Sequence, residues 1–217
     1  MTPTISGKTY FIIKTALIMA LLVCQGAVAE DEKGQFSMRG AGLITCAMYE
    51  AEHAAKSEAY LMTAGWIDGY VTGTNQYSPE TYDILSFETT ELLTEILAKH
   101  CKNNPTDRVF AVVKSLFRKL QQDRLQSLSK KVEVVVGERK TSLYIEVLTR
   151  IQEKLTTEGF YKEKINGLYD KATIDAMKAF QRSAKLNATG FPDQVTLWRL
   201  LRSPSGTNDK LTSAPLQ

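Results

Sequence analysis

The sequence predicts an all-α protein in two parts: a small helical domain stapled by a disulfide, then a three-helix domain. Three observations carry this. Apolar residues recur at helical spacing from Gly42 to about Leu128, and again from Leu148 to Leu201. Glycine, Asn-Gly and proline punctuation divides the second stretch into three short helices. Of three cysteines, Cys24 falls in the expected export signal, which leaves Cys46 and Cys101 in the first stretch, and an even count in an exported chain favours one structural bridge.

The export reading comes from residues 1–29 of the 217. Lys8 and Lys14 supply a basic start, Thr15 to Val23 a short apolar run, and Ala27-Val28-Ala29 a small-residue cleavage site, with the cut between Ala29 and Glu30. The run is shorter than the roughly 20 residues a membrane span needs. Val23 precedes Cys24 where a lipoprotein signal wants a small residue. The mature chain is therefore expected to be soluble and exported, with no membrane contact after signal removal. Losing Lys8 and Lys14 and no acids takes the formal charge from +3 to +1. So balanced a chain is not expected to bind nucleic acid, which wants a clustered basic surface.

Residues 30–40 are polar and read as a flexible leader, followed by a helical domain over 41–125. Its first short helix holds Leu43, Cys46, Ala47 and Tyr49. Ser57 caps a second helix running to about Thr74, with Leu61, Met62, Trp66 and Tyr70 near helical spacing. Gly65, Gly69 and Gly73 recur along it, a pattern expected to let a neighbouring helix approach closely. A third helix begins near Thr89 and carries Leu92, Leu93, Ile96, Leu97 and Cys101. Asn104 is expected to cap a fourth, with Pro105 first and Asp107 in its opening turn. That helix shows the stripe Val109, Val112, Val113, Leu116, Phe117 and Leu120.

Residues 126–142 read as a linker, in which Val132 to Val136 suits either a short strand or an extended tether. The second domain spans 143–202. Leu148, Ile151 and Leu155 stripe its first helix, which Gly159 closes as a C′ glycine ahead of Phe160 and Tyr161. After the Asn166-Gly167 turn comes a helix with Ile174, Met177 and Phe180 on one face. A third begins near Pro192 and Asp193 and carries Val195, Leu197, Trp198 and Leu201. Residues 203–217, rich in Ser, Pro, Gly and Thr, read as a disordered tail.

This second domain resembles the peptidoglycan-binding domain appended to bacterial cell-wall hydrolases. The resemblance runs through Gln152, Leu155, Gly159, Phe160 and Tyr161, then Asn166-Gly167-Leu168-Tyr169-Asp170. It continues with Thr173, Ala176, Phe180 and Gln181, then Thr189-Gly190 and Thr196 to Leu200. Asn166 stands where that family usually has Asp, and Asp170 where it usually has Gly. The resemblance implies peptidoglycan as partner and periplasmic, wall-associated placement. It points to Tyr161, Asn166, Tyr169, Asp170, Gln181 and Arg182 as binding residues. Asn166 and Gln181 bring amide donors and acceptors, Tyr169 a ring and hydroxyl, and Arg182 a guanidinium for a stem-peptide carboxylate. Other readings stay open: Tyr161 and Tyr169 as cover for a small core, Gln181 bonding backbone, Arg182 as plain surface, Trp198 as core.

The first domain, from about Gly42 to Leu120, is similar to the HdeA/HdeB family of small periplasmic helical proteins, known for acid-stress chaperones. The similarity rests on Cys46, Trp66-Ile67-Asp68-Gly69-Tyr70, then Cys101 followed by Asn104-Pro105 and a valine-rich helix. It implies that the bridge ties the first helix to the third. No catalytic serine, metalloprotease, phosphate-loop or dinucleotide motif occurs. His53 and His100 do not stand at spacings that build a tetrahedral metal site with the cysteines. The expectation is a non-enzyme without cofactor or metal, acting as a wall-associated adaptor. The alternatives are an acid-stress holdase that binds unfolded clients, and an accessory subunit that targets a separate cell-wall enzyme or secretion machine.

Overall fold

The computed structural model describes Asp31, Lys33 and residues 35–202. The signal segment, its cleavage site at Ala29 and Glu30, and the 203–217 tail lie outside these residues. From Arg39 onward the described chain forms one unit. A 3₁₀ turn (Gly40–Leu43) leads into α1 (Cys46–Ala55), α2 (Glu58–Tyr77), α3 (Thr90–Asn103) and α4 (Val109–Leu120). A hairpin of β1 (Lys131–Val136) and β2 (Arg139–Tyr144) follows, then α5 (Ile145–Thr157), α6 (Lys171–Ser183) and α7 (Gln194–Leu201). Helices dominate as expected, and the antiparallel hairpin is the departure from all-α.

Side-chain caps set several helix starts where the sequence placed them. Ser57 accepts from the Tyr60 N–H to open α2, and Thr89 accepts from the Leu92 N–H to open α3. α4 is the exception, beginning at Val109 rather than after Asn104. The carbonyls of Pro105 and Asp107 are occupied elsewhere: they accept from the N–H groups of Ala47 and Cys46. They thus close the otherwise open first turn of α1. The Asn104 side chain turns back to donate to the His100 carbonyl.

Cys46 and Cys101 are bonded, tying α1 to α3. Around the bridge lie Tyr49, Ile67, Leu93, Leu97, Val113 and Phe117, all buried. α2 meets this core through Thr63 and Ile67, and through Tyr70, which stacks between Trp66 and Phe117. The glycine expectation fails here. Among the described residues, a Cβ at Gly65, Gly69 or Gly73 would meet nothing within 4 Å, so no described helix packs closely against them. They lie off the α2 face that packs on the core.

Residues 132–136 form a strand. β1 pairs with β2 around a Gly137-Glu138 turn, with Val136 opposite Arg139 and Val134 opposite Thr141. Gly137 has φ 62°, as such a tight hairpin requires. The pleat sends Val134 and Leu143 into a second core with Leu148, Ile151, Leu155, Met177, Phe180 and Leu197. Phe87 and Leu125, from the helical half before the hairpin, belong to that second core too, and Trp198 packs against both cores.

Polar contacts join the same two halves. The Tyr144 hydroxyl, at the end of β2, donates to Asp83 Oδ2 at 2.9 Å, and Asp83 is itself held within the first half by backbone hydrogen bonds exchanged with Leu125. Arg202, at the end of α7, reaches Glu88 at 2.7 Å, and also meets Asp123 and Ser86. The Glu88 side chain is 0% exposed, and the guanidinium beside it offsets the cost of burying a carboxylate. Among the described residues, no helix is long and apolar enough to cross a membrane.

Candidate functional site

The second half is built on one arrangement used twice. Gln152 of α5 and Gln181 of α6 are both 0% exposed. Gln152 Oε1 accepts from the N–H groups of Asn166 and Gly167, at 3.0 and 2.8 Å. Its Nε2 faces the Leu168 carbonyl and Asn166 Oδ1, both at 2.9 Å, and Thr173 Oγ1 at 3.0 Å. Gln181 repeats this on the next turn. Its Oε1 accepts from the Gly190 N–H at 2.7 Å, and its Nε2 donates to the Phe191 carbonyl and Thr196 Oγ1. Three residues after each glycine an aspartate caps the next helix: Asp170 accepts from the Thr173 N–H, and Asp193 from the Thr196 N–H. Each buried amide thus fixes a loop that would otherwise bury unpaired backbone groups.

The glycines hold the left-handed conformation, Gly167 at φ 69° and Gly190 at φ 74°. Both turns also lie tight on a helix. A Cβ at Gly167 would come within 3.0 Å of Ile145 Cγ2, and one at Gly190 within 2.8 Å of Ile174 Cγ2. The Asn-Gly and Thr-Gly signals therefore mark positions where glycine is needed twice over, for φ and for space.

The six residues expected to bind divide into interior and surface. Tyr161 is 3% exposed; its hydroxyl donates to the Lys164 carbonyl and lies 3.3 Å from Gln152 Nε2. Gln181 is fully interior. Neither can touch a polymer, because the core and the loops they support enclose them. Tyr169 is half-buried and donates to the Gly190 carbonyl at 2.8 Å, joining the two turns. Burial, aided by the nearby charge of Asp193, raises its pKa. Asn166 is exposed, but its Oδ1 is engaged by the Leu168 N–H and by Gln152. Asp170 and Arg182 are exposed. The Thr173 N–H, followed by other local hydrogen bonds including one from Asn166, holds the Asp170 carboxyl below the usual range.

That cap makes a first prediction. Asp170→Ala should destabilise the chain by about 1 kcal/mol, the usual size of an N-cap. Because the folded pKa is depressed, the charged cap's contribution is full above the ordinary aspartate range. It fades as pH falls through that range to the folded value. Asp170→Asn should keep much of the cap and lose this acid sensitivity, as read from melting temperatures between pH 7 and pH 3. Parallel curves for wild type and the Asp170→Asn variant would show that the carboxylate does not stabilise the turn.

What the turn offers to solvent is more apolar than the sequence suggested. Leu168 is 60% exposed, Ile165 37% and Ile145 38%, grouped around Gly167 and beside Asn166. Leu168 stood inside the turn motif, and an apolar residue in a turn is the signal that could have found it. The companion turn is closed: Phe191 is 6% exposed beneath the Arg139 guanidinium, 4.0 Å from its ring centroid. Arg139 also approaches Asp193 at 3.9 Å. Of the two turns, only Ile165–Asp170 is open.

Residues 146–200 match the family model described as "Putative peptidoglycan binding domain". The match starts one residue into α5 and ends one residue before the end of α7, leaving the hairpin and the first four helices outside it. No curated protein and no solved structure matches the chain. A peptidoglycan-binding domain suggests wall association and peptidoglycan as partner. A groove of about 270 Å³ lies elsewhere, lined by Ser86, Asp123, Arg150, Glu153 and Arg202 among others. Its guanidinium groups are taken up by Glu88, Glu146 and Asp123. Among the described residues no three His, Cys, Asp or Glu side chains gather as a metal site.

Proposed function

We propose that this is an exported, non-catalytic, periplasmic protein that binds peptidoglycan through the open Ile165–Asp170 turn and acts as a wall-associated adaptor. The observation that carries the reading is the coincidence of the family match with that turn, the one of the pair left uncovered. Ile145, Ile165 and Leu168 supply an apolar wall for the face of a sugar ring, and Asn166 and Asp170 supply polar edges. Tyr161, Tyr169 and Gln181 serve the fold beneath. The disulfide-tied half, fixed to the module through Glu88, Asp83 and Trp198, presents a rigid surface to a protein partner such as a wall enzyme.

Co-sedimentation of the full-length mature protein with purified sacculi tests this. Ile165→Ser with Leu168→Ser should weaken retention about tenfold, equivalent to about 1.4 kcal/mol. The fold should survive, with a loss of about 1 kcal/mol from Ile165, which is 37% exposed, and less from Leu168 at 60%. Unaltered retention by the double variant would move the ligand off this turn, and a wild-type protein that ignores sacculi would remove the wall-binding function.

A further inference from the structure

α6 buries Ala176, Met177 and Phe180 and turns a charged row outward. Lys171, Asp175, Lys178 and Arg182 follow one another by three or four residues, so they share one face of α6 over about 17 Å, at 1.5 Å per residue, and Lys185 stands just past the helix end with φ 58°. Four cations stand there against one acid. Lys171 spends its charge on Asp175 at 2.6 Å. The Asp175 carboxyl is held below its usual range by Lys171 first, with Lys178 and Arg182 also contributing, so these three cations converge on one carboxylate. Among the described residues Lys178, Arg182 and Lys185 come within 4.0 Å of no carboxylate, so Asp175 attracts Lys178 and Arg182 only from a distance. The stem of Lys178 crosses the second turn, within 3.1 Å of where a Cβ on Gly190 would sit. The charge is regional as well: residues 131–202 hold 13 Lys and Arg against 9 Asp and Glu.

We infer that this α6 face and the turn that ends it form a second contact surface on the module, taking the free carboxylates of peptidoglycan stem peptides on Lys178, Arg182 and Lys185. The inference rests on the wall-binding reading above and extends the carboxylate contact expected of Arg182 to a surface that includes Lys178 and Lys185. Charge complementarity favours it, because stem peptides end in carboxylates and repeat along the polymer. Several weak ion pairs then add along one row. A guanidinium takes a carboxylate in bidentate fashion, flanked by two mobile ammonium groups. A bilayer surface fits less well: an interfacial helix inserts its apolar face, and that of α6 is packed in the core. The open turn then contacts glycan while the α6 row contacts peptide.

The test compares full-length wild type with a Lys178→Gln, Arg182→Gln, Lys185→Gln variant. Both are offered untreated sacculi and sacculi whose carboxyl groups have been converted to neutral amides. Wild type should bind untreated sacculi about tenfold more tightly than amidated ones, the scale of three exposed ion pairs. The difference should shrink on raising salt from 0.05 to 0.5 M. The variant should bind both preparations at the weaker level, with an unchanged melting temperature. Wild type that binds both equally overturns the carboxylate inference while leaving wall binding intact. A variant that keeps the full preference moves carboxylate recognition away from α6. Wild type that ignores both preparations fails the wall-binding reading itself, and retention on phosphatidylglycerol vesicles alone would make the face a lipid contact.

Discussion

Replacing Gln152 by Ala is expected to destabilise the chain by about 4 kcal/mol or more. The side chain is 0% exposed and serves both sides of the turn at once. Its loss strips the Asn166 and Gly167 N–H groups of their acceptor, and the Leu168 carbonyl of a donor. Each buried group left unpaired costs about 1–3 kcal/mol, and the truncated side chain adds a cavity. Water cannot repair the loss without opening the turn, because Gly167 lies tight against Ile145 and Thr149. Gln152→Glu should not rescue: it keeps the acceptor oxygens but turns a carboxylate toward the Leu168 carbonyl and Asn166 Oδ1. Urea unfolding followed by circular dichroism reads the change. A midpoint within experimental error of wild type would mean that the turn does not depend on this amide. Sacculus binding would fall with the fold, so this variant carries no information about the ligand.

The two glutamines also show where a sequence is readable and where it is not. Apolar spacing identified the buried faces of α5 and α6, because burial of Leu155 or Met177 follows from the 3.6-residue period alone. Asp170, expected to bind, instead caps α6 through the Thr173 N–H, as Asp193 caps α7 through the Thr196 N–H. A polar residue on the helix carries no such period. Gln181 has the chemistry of a ligand group and of a backbone clamp, and only the Gly190 loop folding over it decides between them. Asn104-Pro105 misled for a related reason: it has the form of a helix start, but its neighbouring carbonyls are recruited by α1, far earlier in the chain. Among the described residues the α2 glycines have no close-packed neighbour, since a bare helix face says where approach is possible and not whether it happens. The hairpin was legible only as one of two alternatives. Its valines needed the second core, part of which comes from Phe87 and Leu125, to settle as a strand.

Opening the Cys46–Cys101 bridge is expected to lower stability by about 4 kcal/mol, the chain-entropy value for a loop of this length. The bridge spans 55 residues, and so links two helices with most of the first core between them in sequence. Both cysteines are 0% exposed, so reductant should act slowly on the folded chain and faster as it opens. For a chain of this size the loss corresponds to a fall of about 12 °C in melting temperature. The effect should not stay in the first half. Glu88 is buried against Arg202, Gln194 donates to the Phe87 carbonyl, and Trp198 touches both cores. Separating the halves would leave the Glu88 charge and the Phe87 carbonyl to find new partners. A Cys46→Ala, Cys101→Ala variant should therefore melt in one lowered transition, with hydrogen exchange accelerating around Leu97 and around Met177 together. Two separate transitions, the second at the wild-type temperature, would show that the second half folds on its own and that the contacts through Arg202 and Trp198 do not couple it to the disulfide.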